Sequence, residues 1–105
     1  MKYQIDERDY WAAIDQALQH GQAQGGSTVA EGLTNLLAQV WDTSVPVNAV
    51  EILQMLDDRT RQLAFDLIVG RSLHGRPTRH PHRNKIEALS TEVSCSFLSE
   101  RRGPE

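Results

Sequence analysis

The sequence contains a single cysteine, Cys95, among its 105 residues. No internal disulfide can form, and a structural zinc site built on cysteine pairs is excluded. The chain also lacks any run of roughly 18 consecutive apolar residues, the length that a membrane-spanning helix needs. Its first residues become acidic where a signal peptide would need an apolar segment. We therefore expect a cytoplasmic protein without a membrane segment or a bound cofactor.

β-Strand patterning is almost missing as well. Alternation of apolar and polar residues is confined to a short fragment at residues 3–5. The hydrophobic fraction of 39% and the charged fraction of 24% fall within the range of globular proteins, on the polar side. A chain of this length can bury one core but not two. These features predict a single small all-α protein.

Capping residues and apolar stripes with a helical period predict where the first helices lie. Asp6 is a suitable N-cap for a first helix over residues 7–20, which Gly21 would end. Thr28 and Glu31 have the spacing of a capping box ahead of a second helix. This helix carries one apolar stripe, which predicts that it lies at the centre of the core: Val29, Leu33, Leu36, Leu37, Val40 and Trp41.

The same signals predict further helices near residues 49–56 and 58–73, and a last one from residue 85. Asn48 with Glu51 and Asn84 with Glu87 give two more capping boxes, and Gly75 is a predicted C-cap. The expected architecture is a small bundle of four to five short amphipathic helices. It divides into a helical core domain (1–74), a basic loop (75–84), and a C-terminal amphipathic helix and tail (85–105). Four large side chains are predicted to be core residues: Trp11, Trp41, Met55 and Phe65.

Between about residues 25 and 69 the order of core positions resembles a known group of proteins. The positions are Val29-Ala30, Leu36-Leu37, Val40-Trp41-Asp42, Pro46 and Leu56-Asp57. They are similar to those of small uncharacterised all-helical proteins of proteobacterial plasmids and integrative elements. The resemblance covers less than half the chain. It implies a helical protein of a bacterial mobile genetic element, and it carries over no catalytic or binding residue.

Charge is distributed unevenly along the chain. Residues 1–70 hold four basic and ten acidic residues, a net charge of −6, whereas residues 71–105 hold seven basic and four acidic residues, a net charge of +3. This asymmetry indicates either a basic tail with an anionic partner or a tail that pairs with the acidic body of the same molecule.

The segment from Leu73 to Lys85 contains no acid and no aromatic residue, yet it holds three of the four histidines. His74, His80 and His82 could supply three nitrogens to a metal ion. The surrounding arginines repel a cation, however, so we expect solvated histidines in a mobile, metal-free linker.

The basic residues around this segment suggest contacts with phosphates. Five could form an arm that positions the protein on a duplex: Arg71, Arg76, Arg79, Arg83 and Lys85. Helices 49–56 and 58–73 also have the lengths of a helix-turn-helix, in which residues 59–62 would open the recognition helix. The acids Asp57, Asp58 and Asp66 would then oppose the phosphates.

Catalytic residues are not indicated. Cys95 lacks a recognisable base, and the acids are spread over helix faces without an apolar enclosure. We therefore expect a non-catalytic module that binds another macromolecule, with a protein as the first choice. A homodimer through the last helix would bury Val93 and Phe97 if the monomer core has no room for them. The alternative is a nucleic-acid-binding accessory protein that uses the basic arm 71–85.

Overall fold

A computed structural model describes the backbone of residues 4–23 and 28–102 and the side chains of residues 4–21 and 28–95. This part of the chain forms five helices and no strand: α1 (Glu7–Ala23), α2 (Thr28–Trp41), α3 (Ala49–Met55), α4 (Asp58–His74) and α5 (Arg83–Arg102). The prediction of a small all-α bundle is confirmed. None of these five helices is both long enough and apolar enough to cross a membrane.

Most of the predicted capping residues lie at helix ends. The Oδ1 atom of Asp6 accepts a hydrogen bond from the backbone N–H of Asp9 at 2.8 Å. Asn48 accepts in the same way from Glu51, with an N···O distance of 3.1 Å. Gly75 ends α4 with a positive φ of 79°. Because glycine lacks a Cβ atom, it adopts this left-handed geometry without strain.

Three predicted helix ends differ from the structure. Gly21 does not stop α1, which continues to Ala23; a Cβ atom at residue 21 would lie 3.2 Å from Oγ1 of Thr34, so glycine lets α1 run close to α2. Asn84 is not the N-cap of α5, because the helix begins at Arg83. Thr28, predicted to be the N-cap of α2, is instead the first residue of the helix, and the residue before it is outside the described part.

Helix α2 lies at the centre of the core and packs against each of the other four helices. Its predicted stripe is confirmed, with Val29 partly buried at the edge and the others buried. α1 and α4 also pack against each other. The first half of α5 joins the core, since Ile86 is fully buried and Leu89 packs against the same cluster.

Two of the four large side chains predicted in the core are not there. Trp41 is buried and Trp11 packs against the core, as expected. Met55 and Phe65, in contrast, are 48% and 41% exposed. Phe65 lies on the side of α4 opposite its buried residues. Met55 lies three residues after the buried Ile52, at the edge of the buried face of α3. In α3 only Ile52 is buried.

A close approach between Tyr10 and Gly70 sets how α1 packs on α4. Tyr10 is fully buried, and a Cβ atom at residue 70 would lie only 2.1 Å from its ring. The glycine therefore lets the ring lie directly on the α4 backbone. Farther along, the Nε2 atom of His74 lies 2.7 Å from the carbonyl oxygen of Ile5. The two contacts show that α1 and α4 run antiparallel.

Candidate functional site

The basic segment that follows α4 is attached to the core by His80. The His80 ring is fully buried, and its Nε2 atom lies 3.2 Å from Oδ1 of Asp15 and 3.4 Å from the carbonyl oxygen of Trp11. The Nδ1 atom accepts the backbone N–H of His82 at 3.0 Å. In the neutral ring the proton therefore lies on Nε2, directed towards α1. The prediction of solvated histidines is wrong for His80.

The local sequence explains how a histidine in a basic loop becomes buried. Pro77 is itself buried, and its carbonyl oxygen accepts the N–H of His80 at 3.2 Å. The carbonyl oxygen of His80 then accepts the N–H of Arg83 at 3.1 Å, which leads directly into α5. The prolines restrict the backbone, so these turns direct the His80 ring inward.

The three histidines do not converge on a common point. His74 bonds to the start of α1 and stacks on Tyr10, with ring centroids 5.9 Å apart. The exposed His82 ring lies 5.7 Å from that of His80. Within the described residues no group of three His, Cys, Asp or Glu side chains is arranged to hold a metal ion.

The five basic residues of the predicted arm fall into two sets. Arg71 donates from Nε to the carbonyl oxygen of Val40 at 2.7 Å, and the Arg76 guanidinium lies 5.3 Å from the centroid of the Trp41 ring. These two contacts hold the end of α4 against the end of α2. The remaining three residues are exposed on the loop and in the first turn of α5: Arg79, Arg83 and Lys85.

The start of α4, predicted to open a recognition helix, serves mainly to hold the turn between α3 and α4. Thr60 is buried, and its N–H and hydroxyl both donate to Oδ1 of Asp57, at 2.9 and 2.7 Å. Arg61 donates to the carbonyl oxygens of Leu53 at 3.1 Å and Leu56 at 2.7 Å. These carbonyls belong to the end of α3, where a cation is favoured.

Within the described part of the chain, three residues have a clearly shifted pKa, and hydrogen bonding or burial is the cause in each. Hydrogen bonds from the backbone and the hydroxyl of Thr60 lower the pKa of Asp57. The hydroxyl and backbone N–H of Ser44 lower the pKa of Asp42. Burial raises the pKa of Tyr10 to about 12. The shift of Asp57 comes from a helix cap, that of Asp42 from a turn, and that of Tyr10 from burial in the core.

The outer face of α4 carries an apolar row made of Phe65, Val69 and Leu73. The spacing of four residues places them on one side of the helix. Phe65 is 41% and Leu73 is 53% exposed, while Val69 is half-buried. α4 packs against α1 and α2 through its opposite face, on which Leu63, Ala64 and Leu67 are buried. The row was readable from the sequence, but periodicity alone did not show which face of α4 is covered.

A groove of about 650 Å³ lies between α1 and α4, and its α4 lining ends at Asp66, next to the first residue of the apolar row. Small and apolar side chains line its floor: Ala12, Ala13 and Leu63. Of the residues that the structure describes, one basic residue, Arg59, and three acidic residues lie at its edges: Asp9, Asp58 and Asp66. We refer to it as the acidic groove. The groove is not apparent in the sequence, because the two helices that form it are distant in the chain.

The other predicted interface lies on α5. Val93 is half-buried and Cys95 is exposed, while the side chain of Phe97 lies outside the described residues. The interface at Val93 and Phe97 therefore stays a prediction.

Comparison with protein-family models, with curated proteins and with solved structures finds no match to this chain. The resemblance to proteins of proteobacterial mobile elements stays a prediction.

Proposed function

We propose that this protein is a non-catalytic helical module that binds a protein partner through the outer face of α4. The observation that carries the proposal is the apolar row of Phe65, Val69 and Leu73, two of whose side chains are large and exposed. Single exposed apolar residues are common on protein surfaces, whereas several on one helix face are typical of an interaction site. We place the module in the bacterial cytoplasm predicted from the sequence.

The packing of α4 supports a rigid binding surface. Its inner face is fixed to α1 by the contact between Tyr10 and Gly70 and to α2 by the bond from Arg71 to Val40. A partner can therefore cover the apolar row without displacing a helix of the bundle. Little backbone order has to be gained on binding, which favours affinity.

Site-specific photo-cross-linking in the source organism tests the proposal. A photoreactive residue at position 65 should capture a defined protein, whereas the same residue at exposed Glu87 on α5 should not. The captured protein is then purified, and its affinity for Phe65→Ser and Leu73→Ser is compared with that for the wild type. We expect each substitution to weaken binding by about tenfold or more, since truncating an anchor residue commonly costs over 1 kcal/mol.

Val50→Ser is the matched control, because Val50 is 68% exposed but lies on α3. It should leave the affinity nearly unchanged. Equal affinity of the wild type and the two α4 variants, with helical circular dichroism retained, would show that the apolar row is not the binding surface.

A further inference from the structure

We propose that the acidic groove receives the basic side of an amphipathic helix of the protein partner, while the apolar side of that helix covers the apolar row. This inference rests on the proposed function and adds the chemistry of the partner. It follows from the shape of the groove, its charge and its position beside the row.

The groove is elongated, because it is lined along successive turns of two antiparallel helices. Asp9, Ala12 and Gln16 follow one another along α1, and Asp58, Gln62 and Asp66 follow one another along α4. Eight or nine residues of helix span about 12 Å. The small side chains of Ala12 and Ala13 leave depth between the two ridges. An elongated segment, such as a helix lying in a groove, suits this shape better than a compact small molecule.

The charge of the groove selects a basic occupant. Among the described residues, three carboxylates and one guanidinium line it, and residues 1–70 as a whole carry a net charge of −6. Asp66 accepts a hydrogen bond from Nε2 of Gln62 at 3.1 Å, which orients its carboxylate on the groove side of α4. Lysine and arginine side chains of a partner complement this surface, whereas phosphate groups and acidic segments are repelled.

The groove and the apolar row adjoin each other on α4, because residues 58–66 line the groove and the row runs from residue 65 to residue 73. Gln62 and Phe65 are three residues apart, as are Asp66 and Val69, so each polar position neighbours a position of the row. One partner helix can therefore contact both surfaces. Its apolar stripe would pack on Phe65, Val69 and Leu73, and the lysines and arginines along one flank would enter the groove.

Synthetic peptides test this inference directly. The probe is a helical Leu/Lys/Ala peptide of about 18 residues, with leucines in one stripe and lysines along one flank. One matched peptide carries glutamate in place of lysine, and another has the same composition in scrambled order. We expect the basic amphipathic peptide to bind most tightly. Chemical-shift changes in the protein's amide spectrum should centre on Ala12, Gln16 and Gln62.

Protein variants separate a specific groove from general attraction between opposite charges. Ala12→Trp should fill the groove, and the exposed position of Ala12 makes the larger side chain compatible with the fold. Asp9→Lys combined with Asp66→Lys should remove the charge complementarity. Each groove variant should raise the Kd of the basic peptide about tenfold or more. The control combines Glu31→Lys with Glu92→Lys, exposed positions on α2 and α5, and should change Kd far less.

The inference is overturned if the control weakens binding as much as the groove variants, if Ala12→Trp has no effect, or if the scrambled peptide binds equally well. The proposed function is judged separately, by the partner captured at position 65. If Phe65→Ser weakens binding of that partner but the groove variants do not, the partner binds the apolar row of α4. The proposal that a basic helix enters the acidic groove is then wrong.

Discussion

The Nε2 atom of His80 lies 3.2 Å from Oδ1 of Asp15, and this contact joins the basic segment after α4 to the middle of α1. The Oδ1 atom is buried and accepts no well-aligned hydrogen bond within the described part of the chain. The buried His80 ring thus attaches the second half of the segment between α4 and α5 to α1.

Removing that side chain should release the segment. We expect trypsin to cut His80→Ala after Arg79 faster than it cuts the wild type, because the buried ring no longer holds the chain against α1. His82→Ala is the control: its ring is exposed, and the bond it gives to His80 comes from the backbone. Mass spectrometry measures the cleavage rates. Equal rates for the wild type and His80→Ala would show that His80 does not hold the segment against α1.

Gly70→Ala should destabilise the protein strongly, since a Cβ atom there would lie 2.1 Å from the buried Tyr10 ring. We expect a loss of about 2 kcal/mol or more, despite the better helix propensity of alanine. Gly21→Ala is the matched control, because its Cβ atom would meet only the Thr34 hydroxyl at 3.2 Å. Urea unfolding of both variants measures the difference, and similar midpoints would show that α1 and α4 can separate at little cost.

Stability should fall at alkaline pH because of Tyr10. Burial raises its pKa to about 12 in the folded protein, whereas an unfolded tyrosine has a pKa of about 10. The neutral phenol is therefore favoured by folding. Its contribution is complete below pH 10 and is lost as the pH rises towards 12. A difference of two pKa units corresponds to about 2–3 kcal/mol.

Tyr10→Phe isolates this effect, since phenylalanine cannot ionise. The unfolding free energy of the wild type should fall between pH 9 and about pH 12 by more than that of the variant. The variant starts from a lower stability, because it lacks the hydrogen bond from the Tyr10 hydroxyl to the carbonyl oxygen of Gly75 at 3.1 Å. Parallel losses in both proteins would show that other groups cause the alkaline transition.

Duplex binding should be weak and strongly dependent on salt. Four residues of the predicted basic arm are exposed, but the Arg76 guanidinium lies over the Trp41 ring, and the acidic body opposes a duplex. Replacing Arg79, Arg83 and Lys85 by alanine should flatten the log–log salt slope by about one unit for each phosphate that the variant no longer neutralises. We expect wild-type binding to vanish near physiological salt. Sequence-selective binding that persists there would favour the nucleic-acid-binding alternative over the protein-binding module.

The sequence by itself determined the five helices and most of their ends. Capping residues such as Asn48 and Asp57 accept hydrogen bonds from backbone N–H groups three residues later. Because these residues are close in sequence, a local pattern predicts the helix start. The stripe of α2 is likewise local, because a helical period repeats within two turns. The cap expected at Asn84 was wrong, because the start of α5 depends on the turns through Pro77 and His80.

Only the tertiary structure decided which residues face solvent at the candidate sites. α4 has apolar residues on both faces, and the approach of Tyr10 to Gly70 determines that the face with Leu67 is covered while Phe65 stays exposed. His80 and His82 are two residues apart in the same basic stretch, yet the first is buried and the second is exposed. Whether a residue is buried depends on which other parts of the chain pack against it. Contacts between α1 and the segments after residue 57 join residues that are far apart in sequence, so a local sequence pattern cannot predict them.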